Sequence, residues 1–430
     1  MCSISSAAFA RDTAGVSSKR RGSDGSFERS AGLEPRSTSA SKGGGVVVER
    51  SIAVSAGESS GDLNGAHLVS AMAGIDPELR FWGAGGPRMR AAGVEIAVDT
   101  SGGGTIGIAT TLASLPRTSL QYIRLRRLIL ARRPDLFVCI DFGAFNIRLG
   151  QIAHRNGIRV VYYFPPSSWR RKPKNAAKLI ACGGKVVTPF DWSAELLSAA
   201  GVDARFVGHP LVDIVKSSTP REQFLRELGL DPSVITIGLF PGSRSHEIGQ
   251  HLPVLVACAG IMHAELARVQ FVVGAARDAQ RMRRLIEHLR RDNRAPIAVV
   301  ENRSYDCMAA SDLLITASGT ATLEAAIIGV PMVIIYRGSR AMRLEYALRK
   351  SILEEFIGMP NIVADRGVCP ELINDDANPE AVADVALSIL RDEARTQRMR
   401  SELADVRARL GQPGAVARAA RVVLEMGGLS

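Results

Sequence analysis

The stretch TIGLFPGSR, residues 236–244, is a short apolar run that stops at a Pro-Gly turn. The stretch SIAVSAGESSGD, residues 51–62, has the same form in the first half of the chain. An apolar run that ends in a glycine turn and leads into a helical stretch is typical of a parallel strand in an α/β sheet. Each half of the chain therefore begins with the unit that opens a doubly wound α/β domain.

Further apolar runs, separated by helical stretches, follow each opening unit. In the first half they are Leu79 to Gly83, Leu136 to Ile140, Arg159 to Phe164 and Lys185 to Val187. In the second half they are Val269 to Val273, Ile297 to Val300, Leu313 to Thr316 and Met332 to Tyr336. Continuous Val and Ile runs indicate parallel sheets that are buried on both faces. The expected fold class is α/β, with two Rossmann-like doubly wound domains that face one cleft.

The composition changes twice along the chain and sets the expected domain bounds. Residues 1–46 are rich in Ser, Gly and Arg without a hydrophobic period, which predicts a disordered N-terminal extension. A targeting peptide and an over-extended gene start both remain open for this segment. The polar residues 213–233 predict a linker followed by a short helix. We therefore expect one Rossmann-like domain over 47–214 and a second over 215–430 with a helical, arginine-rich tail from about Asn378.

The chain has 430 residues, of which 46% are hydrophobic and 23% charged, as in an ordinary globular protein. The net charge of +11 suits anionic lipid, phosphorylated substrates, nucleic acid or simply a solvated arginine-rich surface. Aromatic residues make up only 5% and no nucleic-acid motif is found, so nucleic acid is not expected as a partner. The six cysteines are scattered, which predicts neither a zinc site nor a redox pair and suits the cytoplasm.

Glycine-rich turns follow the expected strands in both halves. In the first half, residues 57–62 leave backbone N–H groups open to an anion, and Ser60 or Asp62 is expected to cap the helix that follows. The alternative is a plain turn between strand and helix. Residues 83–88 resemble a dinucleotide fingerprint but lack its final glycine, so a nicotinamide cofactor is not expected.

The second half holds the expected diphosphate site. Gly242, Ser243 and Arg244 end its first strand, where a guanidinium would project into the cleft and suit a diphosphate. The segment Ser318-Gly319-Thr320 precedes a helix in the same setting, and its small residues let backbone amides approach phosphate oxygens. Glu324 lies on the first turns of that helix, within reach of ribose hydroxyls. The alternative for Glu324 is an acid that merely stabilises the helix start.

Taken in order, these motifs resemble the lipid-A-disaccharide synthase family over about residues 50–375. The resemblance includes the turn at 57–62, Gly86-Pro87-Arg88-Met89, Ile140-Asp141 with Phe145-Asn146, Phe206 to Pro210, Pro241 to Arg244 with Glu247, residues 318–324, and Met359-Pro360-Asn361. It implies a GT-B fold and an inverting transfer without a metal or other cofactor. The donor implied is UDP-2,3-diacylglucosamine, a substrate, and the acceptor is 2,3-diacylglucosamine 1-phosphate. It also implies that residues 47–214 form the acceptor-binding domain and residues 215–430 the UDP-sugar-binding domain. Asn361 would then have a place in the donor site.

Three departures from the family pattern lie in the acceptor half. Gly143-Ala144 stand where the family usually has Pro-Asp, and Trp169-Arg170-Arg171-Lys172 stand where it has Trp-Ala-Trp-Arg. The family's acid is also absent from residues 107–111. Donor transfer is therefore better supported than the acceptor's identity. A transferase with another acceptor, a non-catalytic UDP-sugar-binding relative and a nucleotide-sugar epimerase remain as alternatives.

Asp141 is the expected catalytic base, because an inverting transfer needs a group to take the acceptor's proton. It ends the most apolar strand of the first half, and a carboxylate is costly to bury without a role. Glu58 and Asp62 are the next candidates. The alternative for Asp141 is an aspartate that caps the following turn.

Acylated substrates imply work at an anionic membrane face, and the expected location is the cytoplasmic side of the inner membrane, with a homodimer as a further hypothesis. Two groups of arginines with apolar neighbours are candidate membrane contacts. They are residues 117–133, and Arg337, Arg340, Arg343 and Arg349 with Met342 and Tyr346. The alternative is that both stretches pack on the core with their arginines in water.

Overall fold

A computed structural model describes residues 50–100, 108–166, 168, 170–171, 175–266, 268–275, 278–290, 294–338 and 356–430. The predicted N-terminal extension lies outside these ranges. Among the described residues no helix is both long enough and apolar enough to cross a bilayer.

The first half folds around a parallel sheet of seven strands. The strands are β1 (Ser51–Ala56), β2 (Arg80–Gly85), β3 (Glu95–Asp99), β4 (Leu136–Ile140), β5 (Arg159–Tyr163), β6 (Lys185–Thr188) and β7 (Asp203–Phe206). Their order is β3-β2-β1-β4-β5-β6-β7. The helices are α1 (Glu58–Ile75), α2 (Pro87–Ala91), α3 (Ile108–Arg132), α4 (Gly143–Arg155), α5 (Ala176–Ile180), α6 (Asp191–Ala199) and α7 (Leu211–Ile214). Helix α8 (Arg221–Glu227) follows α7, and its Phe224 and Leu225 are buried in the core of the second half.

The second half folds around a parallel sheet of six strands. The strands are β8 (Ile235–Phe240), β9 (Val269–Ala275), β10 (Ile297–Glu301), β11 (Leu313–Ala317), β12 (Met332–Tyr336) and β13 (Glu371–Ile373), in the order β10-β9-β8-β11-β12-β13. The helices are α9 (Ser245–Glu265), α10 (Ala279–Arg290), α11 (Ser304–Ala309), α12 (Thr320–Ile328), α13 (Met359–Ala364), α14 (Pro379–Arg391), α15 (Glu393–Arg409) and α16 (Ala415–Gly427). The predicted α/β class with two doubly wound sheets is confirmed.

The order of the strands reverses between β1 and β4 in the first sheet and between β8 and β11 in the second. In open α/β sheets the crevice at such a switch point is where ligands bind. The turns that follow these four strands are the ones that the sequence singled out. The fold therefore gathers the candidate residues of each half at one point of its sheet.

The last helix does not stay with the second sheet, although the sequence assigned the whole helical tail to the second domain. Ala419, Val423 and Leu424 of α16 are buried in the same cluster as Ile52, Val54 and other residues of the first sheet. Arg50, Arg159 and Lys185 donate to carbonyl oxygens at the end of α16. The chain thus passes from the first half to the second after β7, and it returns to the first half before α16.

The two crossings are hydrogen-bonded to each other. The His209 N–H donates to the Leu410 carbonyl at 2.8 Å, and the Asp213 carboxylate accepts from the N–H groups of Gly414 and Val416. Gly208 has φ +86°, and a Cβ on Gly411 would lie 3.0 Å from the Gly208 Cα. The segment Phe206 to Pro210 therefore belongs to the connection between the sheets.

Candidate active site

The turn after β1 contacts the turn after β4. A Cβ on Gly57 would lie 2.3 Å from the Phe142 ring, so glycine is required for this approach. Gly57 is the residue before α1, and no side chain caps that helix. Glu58 is the first residue of α1, and its side chain lies outside the described part of the structure.

Asp62 does not cap its own helix, so that expectation is wrong. Its buried carboxylate accepts instead from the N–H groups of Gly86, Arg88 and Met89 at 2.8 to 3.0 Å. It therefore caps α2, which begins at the carboxyl end of the neighbouring strand β2. The three N–H groups occupy this carboxylate, so a catalytic role for Asp62 as a second candidate is not supported.

Asp141 lies at the reversal of the first sheet in an unusual backbone conformation. The φ angles of Asp141, Phe142 and Gly143 are +46°, +55° and +32°, and such left-handed conformations are costly outside glycine. The Asp141 carbonyl is fixed by the Tyr162 hydroxyl at 2.7 Å and by the Asn146 amide at 3.1 Å. These contacts involve the backbone, and Asp141 as a whole is exposed.

Asn146 anchors this turn to the sheet. It is fully buried, its amide also donates to the carbonyls of Ser55 and Ile140, and its oxygen accepts from the Ser55 hydroxyl at 2.6 Å. Because Ser55 lies on β1, Asn146 joins the two strands of the switch point. The Phe145-Asn146 part of the motif therefore positions Asp141.

The turn after β8 is hydrogen-bonded to the carboxylate of Glu247, which lies in the first turn of α9. Glu247 accepts from the N–H groups of Ser243 and Arg244, and its other oxygen lies 2.8 Å from Arg244 Nη1. Gly242 has φ +105°, and a Cβ there would lie 2.6 Å from the Glu247 carboxylate. Arg244 thus follows the end of β8, and its guanidinium is held by a carboxylate three residues along.

His251 joins this turn to the end of β12. Its Nε2 accepts from the Arg337 N–H at 3.0 Å, so Nδ1 must carry the proton that it donates to the Pro241 carbonyl at 2.9 Å. The ring is fully buried, and that burial lowers the pKa of His251 below its ordinary value. The neutral imidazole therefore links the Pro-Gly turn to the residue that follows β12.

The turn after β11 is open toward the cleft. Gly319 has φ +151°, a Cβ there would meet nothing within 4 Å, and Thr320 is exposed. Ser318 and Thr322 face inward, since their hydroxyls donate to the carbonyls of Ile357 and Gly319. Among the described residues, nothing would obstruct a ligand atom beside Gly319 at the start of α12, and the anion site expected there stays a prediction.

Glu324 is hydrogen-bonded to Tyr305, a partner that the sequence analysis did not identify. The Tyr305 hydroxyl of α11 donates to the Glu324 carboxylate at 3.2 Å. Burial raises the pKa of Glu324, and the Tyr305 hydrogen bond and the charge of Arg88 offset part of that effect. Arg88 belongs to the first sheet's helix α2, so the two halves approach each other beside Glu324.

Asn361 is not available to a ligand, contrary to its predicted place in the donor site. It is 1% exposed, its amide donates to Cys369 and Glu371, and its oxygen accepts from the N–H groups of Val368 and Cys369. Those four bonds use its full capacity. Glu371 also accepts from the N–H groups of Ile357 and Gly358, so both side chains shape the segment beside Ser318.

The departure at residues 169–172 is only partly described, because Trp169 and Lys172 lie outside the described residues. Arg171 stacks over the Trp192 ring at 4.8 Å and pairs with Asp365 at 3.2 Å. Its guanidinium also reaches the Val363 carbonyl in α13. Arg171 therefore links a loop of the first half to the second half.

Comparisons with known proteins identify relatives of this chain. Residues 52–425 match the profile of the family described as Lipid-A-disaccharide synthetase. The lipid-A-disaccharide synthase of Geobacter metallireducens is 39% identical over 386 residues, which cover 89% of this chain and 98% of that protein. The one from Nitrosococcus oceani is 38% identical over 363 residues, covering 84% and 92%.

Solved structures of low identity share the fold. The UDP-GlcNAc 2-epimerase from Neisseria meningitidis, bound to UDP-GlcNAc, has a TM-score of 0.57 at 11% identity and covers 87% of this chain and 98% of that one. A glycosyltransferase from Rickettsia africae has a TM-score of 0.50 at 12% identity, with coverage of 88% and 99%. These likenesses show the GT-B fold alone and do not choose between a transferase and an epimerase. The profile match and the 39% identity over most of the sequence do: the chain belongs to the lipid-A-disaccharide synthase family.

Proposed function

We propose that this enzyme transfers 2,3-diacylglucosamine from UDP-2,3-diacylglucosamine to 2,3-diacylglucosamine 1-phosphate, giving lipid A disaccharide 1-phosphate and UDP. One observation carries the proposal for this family member. An aspartate in a rigid turn ends β4 at the switch point of the first sheet, and two turns suited to anions lie at the switch point of the second. The turn that carries the aspartate suits an acceptor hydroxyl, and the two turns of the second sheet suit a nucleotide diphosphate.

Asp141 acts as the general base in this proposal. The acceptor hydroxyl attacks C1 of the donor sugar from the face opposite UDP and gives its proton to the Asp141 carboxylate. The bond between C1 and the phosphate oxygen breaks, and UDP leaves with that electron pair. Because Asn146 and Tyr162 hold the Asp141 backbone, the point from which the carboxylate projects is fixed before the substrate arrives.

The second half binds UDP in this proposal. The amides of Gly319 and Thr320 and the guanidinium of Arg244 contact the diphosphate, and Glu324 accepts from ribose hydroxyls. Backbone amides at a helix start and an arginine can together balance a diphosphate, so we propose a transfer that needs no metal. The Tyr305 hydroxyl orients the Glu324 carboxylate for this role.

Peripheral attachment to an anionic membrane face is part of the proposal and is supported by α3. Leu120 and Ile123 are 69% and 42% exposed, and Arg124 and Arg127 beside them are also exposed. Leu125 and Ile129 of the same helix are buried against the first sheet, so only one face of the predicted stretch is available. Of the second predicted group only Arg337 is described, and its N–H is bonded to His251. A homodimer stays a prediction.

Mass analysis of the product tests the reaction. The enzyme is incubated with UDP-2,3-diacylglucosamine and 2,3-diacylglucosamine 1-phosphate, and we expect UDP together with a product whose mass is the acceptor plus one diacylglucosamine residue. Release of UDP only with another acylated acceptor would support the alternative transferase. Conversion of the donor to an isomer without an acceptor would identify an epimerase, and UDP binding without turnover would identify a non-catalytic relative.

A further inference from the structure

Arg88 is an exposed arginine at the start of α2, on the side of the first sheet where the strands end. Its Nη1 contacts the carbonyl and the hydroxyl oxygen of Ser59, at 3.3 and 3.1 Å. Both partners are neutral. Within the described part of the chain, the guanidinium is thus held over the β1 turn without a hydrogen-bonded carboxylate to neutralise it.

The backbone of Arg88 is fixed by Asp62. Its N–H donates to Asp62 at 3.0 Å, as do the buried N–H groups of Gly86 and Met89 on either side. The side chain therefore starts from a rigid position, and the Ser59 contacts hold its guanidinium over the turn after β1. Pro87 and the buried Met89 further limit movement of this short helix.

Arg88 also lies close to the second half. Its charge acts on Glu324 and on Tyr305, which belong to α12 and α11 of the second sheet. Glu324 is one turn after the open start of α12, where the proposed function puts the donor diphosphate. A guanidinium that has only neutral hydrogen-bond partners, and whose charge acts across the domains on Glu324, suits a contact with phosphate oxygens.

We propose that Arg88 binds the diphosphate of the UDP-sugar from the acceptor domain and stabilises the negative charge that UDP gains as the sugar leaves. This inference rests on the proposed function and adds a residue of the first half to the donor site. The donor is then held between Arg88 on one side and the α12 start on the other. The donor would then contact both domains beside the reacting bond.

Calorimetric titration with UDP, and competition by uridine, tests this role with Arg88→Gln. Loss of a charge-assisted contact should weaken UDP binding about 10- to 100-fold, while uridine, which lacks phosphates, should bind as it does to the unaltered enzyme. Arg90→Gln is the matched control, because Arg90 is an exposed arginine on the same helix. It should leave both affinities unchanged, and equal melting temperatures would show that neither variant has lost its fold.

The outcomes separate this inference from the function on which it rests. If the unaltered enzyme does not bind UDP, the proposed function and the inference are both wrong. If it binds UDP and Arg88→Gln binds UDP equally well, only the role of Arg88 is wrong. Unchanged UDP affinity with a raised KM for the acceptor would assign Arg88 to the acceptor phosphate and overturn the diphosphate contact.

Discussion

Replacing Asp141 by asparagine tests the proposed general base directly. The contacts that hold residue 141 are made by its carbonyl oxygen, which accepts from Tyr162 at 2.7 Å and from Asn146 at 3.1 Å. Asparagine keeps that carbonyl and the size of the side chain, and it tolerates positive φ. The left-handed turn should therefore survive, and UDP affinity should stay within about twofold of the original value.

The rate is expected to change far more than the structure. Loss of a general base removes about 10²- to 10⁴-fold in rate, which is roughly 2.7 to 5.4 kcal/mol in activation free energy. Turnover is measured as lipid A disaccharide 1-phosphate formed at saturating donor and acceptor. Asp135→Asn is the matched control, because Asp135 precedes the same strand at its opposite end and binds the Ser51 N–H. That variant should keep normal turnover.

Near-normal turnover of Asp141→Asn at saturating substrates would refute this reasoning and make Asp141 structural. Glu58 would then be the next candidate for the base. Asp62 would not, because its carboxylate is occupied by three N–H groups of the α2 start.

Three further predictions concern the donor, the membrane and pH. Arg244→Ala should lower UDP affinity about tenfold or more in calorimetry, whereas Arg268→Ala, at the other end of the sheet, should not; equal affinities would remove Arg244 from the site. The enzyme should sediment with anionic vesicles at low salt and less at high salt, and serine at Leu120 and Ile123 should reduce pelleting; no pelleting at low salt counts against attachment. Burial lowers the pKa of His209 from 6.5 to about 3 in the folded protein. As the pH falls below 6.5, His209 therefore takes up a proton in the unfolded chain but not in the folded one. Unfolding free energy should fall by about 2 kcal/mol from pH 8 to pH 5, and His209→Asn, which keeps an acceptor, should lose that dependence; an unchanged slope would contradict it.

Most strands could be read from the sequence because buried parallel strands are continuous apolar runs. The three strands that were not identified, β3, β7 and β13, lie at sheet edges. Each is short and has half-exposed or exposed residues, as in Asp203–Phe206, where no residue is fully buried. An edge strand has neighbours on one side only and carries a weaker apolar signal. The path of α16 was also not predictable, since its apolar face would suit either sheet.

The candidate turns could be located from sequence because each follows a recognisable strand. The partners of their side chains could not, because those partners are distant along the chain. Asp62 caps helix α2, which begins 24 or more residues further along the chain. Tyr305 and Glu324 lie on different helices, and strand β11 separates them in the sequence. Asn361 was predicted to contact the ligand, but its side-chain amide is hydrogen-bonded to residues that follow it in a tight loop. Local pattern gives the place of a loop, and tertiary hydrogen bonds decide which side chains face the cleft.

The departures around Asp141 bear on whether this relative is catalytic. Residue 143 has φ +32°, which a proline ring, fixed near −65°, cannot adopt, so glycine at this position matches the observed turn. The anchors of the turn, Asn146 and Tyr162, do not depend on residues 143 and 144, because they bind the Asp141 carbonyl from α4 and β5. Alanine at 144 removes the carboxylate that the family usually has at this position. The changes therefore alter the outer part of the turn and leave the proposed base fixed in place, which favours a working transferase over a relative that only binds the nucleotide sugar.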